Sequence, residues 1–449
     1  MAVASSDTLG RMSAVSLSRS MARAARSLCP EDVPASVIAK VKTGLLDMLS
    51  CALEARSLPW GCQAIQMAGR APNGIASIIG TPLRVSSGDA AFVNATLGHG
   101  LVREDMHTGA VSHLGVVIHP ALLALSQREP ATGKNFILAA ACGYEVGAAI
   151  GRALVDREFA ALHRPTGTTG PIAGALAGSM LLGLSEDATV SAIGLAANTA
   201  SGLNEWPYSG ADEMFFHPGF AARNAVTAVE LAELGAFASE TALDGRSGLF
   251  AALGRSDRLS SVAPFQPGVW EILSVYYKPA PACNYAQTAC QAALAAIDGI
   301  KSSDIAGIRV ACSAAAVAYP GCNYAGPFNR ILQAKMSIQY CVAATLARGR
   351  IEEANYRLLH DPELLRLISV MTLDPDPHFT ANYPAAQGAE VVLTLRNGET
   401  INRRMRDLVP ATPAEIRARF LAAGGTEAAA SFVDALDEQD DVGMLLTHL

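Results

Sequence analysis

The chain has 449 residues, of which 50% are hydrophobic and 17% charged, with 34 basic against 41 acidic side chains and a formal net charge of -7. That length exceeds one ordinary core and predicts two domains, and the apolar balance predicts a large core with further surface buried between subunits. The absence of any run of like charge argues against nucleic acid and membrane partners, and nine scattered Cys without a CxxC pair predict reduced thiols in a cytoplasmic protein.

The N-terminal stretch carries Arg11, Arg19, Arg23 and Arg26, many Ser, and Asp7 as its one acid. It resembles a transit peptide; the plainer reading is a basic lead-in to the first helix. Apolar residues at helical spacing predict helices over Ile38–Ala55, Ala90–His99, Asn135–Val155, Ile172–Leu182, Ala188–Ala200 and Ala221–Leu234. No apolar stretch is expected to reach membrane-spanning length; the most apolar candidate, Pro171–Leu184, has about two-thirds of the roughly 20 residues needed. Gly170, Gly174 and Gly178 give one helix a flat face for close packing.

The texture changes after Phe265. Pro264, Pro267, Pro279 and Pro281 punctuate a linker-like stretch. A helix at Gln287–Ala296, a strand at Ile305–Val310 and a helix at Gln333–Ala347 are predicted next. Glu390–Leu395 and Thr400–Met405 then flank Asn397-Gly398 as a hairpin. Thr412-Pro413-Ala414-Glu415 reads as a capped helix start, from which the chain returns to helix and packs back on the first domain. The expected fold is therefore mainly α with a smaller α+β domain: a helical domain over 1–266, completed by 408–449, and an α+β domain over 267–407.

Polar side chains concentrate in five places. The densest is His99, Arg103, Glu104, Asp105 and His107, followed by His113 and His119. The His spacings match neither a helix face nor a zinc pattern, so no metal is expected, and acid–base work is the competing reading to ordinary loop histidines. His163-Arg164-Pro165-Thr166-Gly167-Thr168-Thr169-Gly170 precedes the glycine-faced helix. Free N–H groups there can hold a carboxylate, or the segment is a simple cap. The others are Glu213–Asn224, Tyr276–Tyr285 and Ala334–Tyr340. Within them, Lys278 and Lys335 are anion ligands or surface charges, and Cys283 is a nucleophile or simply a buried thiol.

These clusters, in this order, resemble the MmgE/PrpD family, which includes 2-methylcitrate dehydratase, cis-aconitate decarboxylase and iminodisuccinate epimerase. The resemblance runs through Leu45-Leu46-Asp47, Ala90–His99, Gly143-Tyr144-Glu145-Val146, His163–Gly170, Ala173–Leu184, Gly219–Asn224, Asp244-Gly245, Lys278–Cys283 and Ala334–Tyr340. The chain departs from the family at Val102 and Met106, inside an otherwise acidic stretch, and at Met214 and Cys283, where members carry a Lys and a His. The resemblance implies an all-helical domain, a smaller lid domain, a homodimer, a cleft site and no metal or organic cofactor. It also implies a lyase or isomerase moving a proton at carbon next to a carboxylate of a small di- or tricarboxylate. His113 and His163 would be base and acid. Arg103, His107, Thr166, Lys278, Tyr285 and Lys335 would bind substrate. The competing classes are a catalytically silent, dimeric ligand-binding homologue and a metal-dependent hydrolase.

Overall fold

The computed structural model describes residues 15–449. Asp7 and Arg11, part of the basic lead-in, lie outside the described residues. The rest of that lead-in is the helix Leu17–Arg26, whose Ser16 hydroxyl accepts from the Arg19 N–H. The Arg19 guanidinium meets Glu186, Asp187 and Glu240, which docks this helix on the helix Glu186–Ala197.

The first core is built by the helices Ala35–Ala55, Ser87–His99, Gly115–Arg128, Gly133–Leu154, Pro165–Leu181 and Glu213–Glu233. The glycine face sets their spacing. A Cβ at Gly170 would come within 3.0 Å of Val117, one at Gly174 within 2.7 Å of Ala225, and one at Gly178 within 2.7 Å of Leu125. Pro165–Leu181 therefore lies flat between Gly115–Arg128 and Glu213–Glu233. One expectation is corrected here. The helix Gly133–Leu154 is long and apolar enough to cross a membrane, and 94% of its apolar window is buried inside the fold. A helix that is apolar all round is what the centre of a large helical domain requires.

The chain returns to this core at its end. Thr412 and Glu415 form the reciprocal cap of the helix Pro413–Ala422, and Ile416, Phe420, Val433 and Leu436 join the first core. The second core surrounds a four-stranded sheet in the order Met371–Pro375, Ile305–Cys312, Ala389–Leu395, Thr400–Met405. The first pair is parallel and the others antiparallel. Gly398, at φ 87°, makes the hairpin turn. The helices Gln287–Ala296 and Ile338–Arg348 cover the sheet. The single helix expected over Gln333–Ala347 is broken at Ser337, whose ψ of 118° leaves the helical region and whose hydroxyl caps the Tyr340 N–H. The strand Met371–Pro375 was not expected. It is a largely exposed edge strand, so its sequence carries no apolar alternation.

The two cores meet along the loop between His99 and Gly115. Its Met106-His107 pairs with Val275-Tyr276. Lys278 Nζ donates to the Val102 carbonyl at 2.7 Å and Lys335 Nζ to the Leu101 carbonyl at 2.9 Å. From the other side, Arg419 donates to the carbonyls of Lys278 and Pro279. The junction therefore lies under backbone hydrogen bonds from both cores.

Candidate active site

The Ser87–His99 helix ends just where the chain reaches the junction, so the polar residues after it fall between the cores. His99, Glu104, Asp105 and His113 are all buried there. Glu104 Oε1 accepts from His99 Nδ1 at 2.6 Å and lies 3.1 Å from His113 Nδ1. His113 Nδ1 donates to the Asp105 carbonyl at 2.7 Å, and its backbone N–H donates to Thr166 Oγ1 at 3.0 Å. With Nδ1 committed as donor, the neutral ring carries its proton there. Nε2 accepts no hydrogen bond from the described residues, and His113 lines the cavity. Burial pushes the His113 imidazolium well below its ordinary range, and Lys278 and Arg164 add to this against the pull of Glu104. His113 is thus a neutral base at neutral pH. Burial pushes the Glu104 carboxyl up, but His99, His113 and Lys278 together outweigh it and hold the group well below the usual carboxylate range.

Arg164 and Lys278 face the same cavity as His113. Arg164 Nη2 donates to His99 Nε2 at 3.2 Å, so the His99–Glu104 pair aims the guanidinium. Lys278 is fully buried and makes one protein hydrogen bond among the described residues, to Val102, leaving two N–H groups for a ligand. Burial lowers its pKa, with Glu104 pulling the other way. The cavity holds about 30 Å³, room for roughly two waters. Val102 and Val111 both line it and both have left-handed backbone, at φ 58° and φ 48°. β-branched residues resist that conformation, so roughly 1–3 kcal/mol of strain each is concentrated at this site.

Of the residues singled out from the sequence, His113, Lys278 and Tyr285 line the cavity. Thr166 stands behind it, holding the His113 backbone. The other four point elsewhere. His163 has extended backbone, φ -121° and ψ 147°, so successive side chains face opposite ways. Arg164 enters the cavity, and the His163 ring packs on Phe159 at 4.8 Å. Arg103 turns away to Glu54 at 2.8 Å and Ser50 at 3.2 Å. His107 accepts from the Ala110 N–H and meets Glu271 at 3.1 Å, which makes it a turn cap. Lys335 donates to Leu101, Pro281 and Glu353 and lies 4.7 Å over the Tyr356 ring, so no N–H remains for a substrate. Arg164 was missed, as was the role of His99 and Glu104 in aiming it. One signal was available: Pro165 holds the preceding residue extended, so only one of His163 and Arg164 can face inward. Among the described residues, no group of three or more His, Cys, Asp or Glu is placed to hold a metal ion.

Behind the cavity lie two more acids. Asp105 Oδ2 accepts from Tyr144 Oη at 2.6 Å and from the Gly115 N–H at 3.2 Å, and burial pushes its carboxyl up to about 6. Asp47 has no hydrogen-bond partner on either oxygen among the described residues, and burial, opposed by Arg103, pushes it up to about 7. The folded state therefore keeps a proton on Asp47 that the unfolded chain gives up near pH 4. Stability from this group is full below about pH 4 and falls as pH rises to about 7. Asp47→Asn is expected to flatten the loss of stability between pH 5 and pH 8. Urea midpoints at both pH values test this, and equal slopes in wild type and variant would refute it.

Residues 19–261 match the MmgE/PrpD N-terminal domain and residues 280–415 the MmgE/PrpD C-terminal domain. The chain is 34% identical over 217 residues to a cis-aconitate decarboxylase-like protein, oryM, of Aspergillus oryzae, covering 46% of this chain and 45% of that one. It is 32% identical over 233 residues to a cis-aconitate decarboxylase of Aspergillus terreus, covering 50% and 47%. A 2-methylcitrate dehydratase-like protein of Aspergillus oryzae, oryR, is 28% identical over 180 residues, covering 37% and 35%. The aligned part thus spans about half the length, or less, of these curated relatives. The two domain matches together take in most of the sequence, and the chain belongs to the MmgE/PrpD family.

Proposed function

We propose that the chain is a lyase acting on a small di- or tricarboxylate, with His113 as the general base. The observation that carries this reading is that His113, with Nδ1 committed as donor and its imidazolium disfavoured by burial, lines one cavity with two cations, Arg164 and Lys278. A C–H bond next to a carboxylate is a weak acid because the electron pair left on carbon spreads onto the carboxylate oxygens. Arg164 and Lys278, preorganised and away from bulk water, stabilise that charge more than they stabilise the starting carboxylate. His113 takes the proton, and in a dehydration the electron pair expels hydroxide from the neighbouring carbon. In a decarboxylation the bond to carbon dioxide breaks first, and the carbon then takes a proton from water, releasing hydroxide. The printed names of the relatives, cis-aconitate decarboxylase and 2-methylcitrate dehydratase-like, support both forms.

The test is proton NMR of the purified chain with cis-aconitate, 2-methylcitrate and related acids in deuterium oxide. Product, or deuterium at carbon next to a carboxylate, is the expected result. A set of acids that raises the melting temperature by binding the native state, yet gives neither product nor exchange, would leave a binding protein and sink the lyase reading.

A further inference from the structure

We propose that the substrate carries an alkyl tail of several carbons and that this tail lies in an apolar chamber just outside His113. The inference rests on reading the inner cavity as the carboxylate site. That cavity holds only about 30 Å³, but a second chamber of about 580 Å³ lies against it and shares Val111, Tyr285 and Tyr319 as walls. These shared walls place the chamber beside any substituent of a carboxylate held at Arg164 and Lys278.

Most of the chamber wall is methyl groups and rings, with Thr108, Arg157 and Tyr208 adding polar groups. Ala160 and Ala161 come from the first domain, and Ala315 and Ala318 from the second. Tyr285 and Tyr383 present their rings, with their hydroxyls spent on each other at 3.1 Å. The chamber's one acid, Asp156, is taken by Arg255 and Arg258 and caps the Phe159 N–H at 2.8 Å. An entrance built only to collect small anions would be lined with cations, yet Arg157 is the chamber's one basic residue. An alkyl chain suits such walls, and each buried methylene strengthens binding by about threefold to fourfold.

The experiment is calorimetric titration of the full chain with succinate and with 2-alkylsuccinates from ethyl to octyl. The expected result is affinity rising about threefold to fourfold per carbon over the first several carbons. Ala315→Asp, which places a carboxylate in the chamber, is expected to flatten that slope. Succinate that binds with no gain from the tail would overturn the proposal and leave the carboxylate site standing. Binding of neither succinate nor any alkylsuccinate would overturn the carboxylate site and the tail together. Hexanol binding as well as hexylsuccinate would also overturn the proposal, because the chamber would then be an apolar patch unconnected to the cations. Should Ala315→Asp fail to fold, the wild-type series alone decides.

Discussion

His113→Gln is expected to lower turnover by roughly two to four powers of ten, the usual span for a general acid–base group, while the melting temperature stays near that of the wild type. The glutamine amide can still donate to the Asp105 carbonyl that now accepts from Nδ1, so the loop keeps its anchor, but no basic nitrogen faces the cavity. The substitution also leaves Arg164 and Lys278 in place, so the KM for a carboxylate should change far less than kcat. A pH profile adds a second check. Because burial and two cations hold His113 well below its ordinary range, the base is available across neutral pH and is lost only as pH falls through that lowered value. The wild-type profile of kcat/KM should therefore be flat near neutrality and fall on the acid side, and that acid limb should vanish with His113→Gln. His163→Ala is the contrast: its ring sits on Phe159 outside the cavity, so near-normal turnover is expected. A reversed outcome, with His163 essential and His113 dispensable, would discard the base assigned here.

The pattern of the chain carried much of the fold and less of the site, for a physical reason. Helix periodicity and the Asn397-Gly398 turn are local signals, and the helix Gln287–Ala296 and the hairpin strands Ala389–Leu395 and Thr400–Met405 fall where those signals place them. Ser337 and the strand Met371–Pro375 escaped. A side-chain cap competes with an otherwise continuous helical pattern, and an exposed edge strand needs no apolar alternation. Site residues depend on direction and on distant partners. His107 finds Glu271, and Lys335 finds Leu101, across long separations in sequence that periodicity does not encode. Polarity marked the cluster but did not separate His113 from His99, His107 or His119; His113 itself was legible only because it matches a site histidine of the MmgE/PrpD family. Arg164 was not, because chemistry favours the neighbouring histidine, whereas the extended backbone before Pro165 favours the arginine.

Lys335→Met is expected to destabilise the protein by about 3–5 kcal/mol, the range found when one partner of a buried ion pair is removed. Both Lys335 and Glu353 are almost wholly buried; Lys335 Nζ meets Glu353 Oε2, and Oε1 has no hydrogen-bond partner among the described residues. Burial already pushes the Glu353 carboxyl up, with Lys335 as the main influence holding it down. Without the ammonium, a carboxylate is left in an apolar setting beside Tyr356, and the carbonyls of Leu101 and Pro281 lose their donor. Lys335→Met combined with Glu353→Leu removes both charges and should be more stable than either single variant. It should stay below wild type, because the two carbonyls remain unpaired, each costing about 1–3 kcal/mol. Urea unfolding of the wild type, both single variants and the double variant measures the coupling directly. A Lys335→Met protein as stable as wild type, with a KM for carboxylates raised tenfold or more, would show that this lysine reaches substrate after all. It would also mean that the contacts to Leu101, Pro281 and Glu353 open when substrate binds.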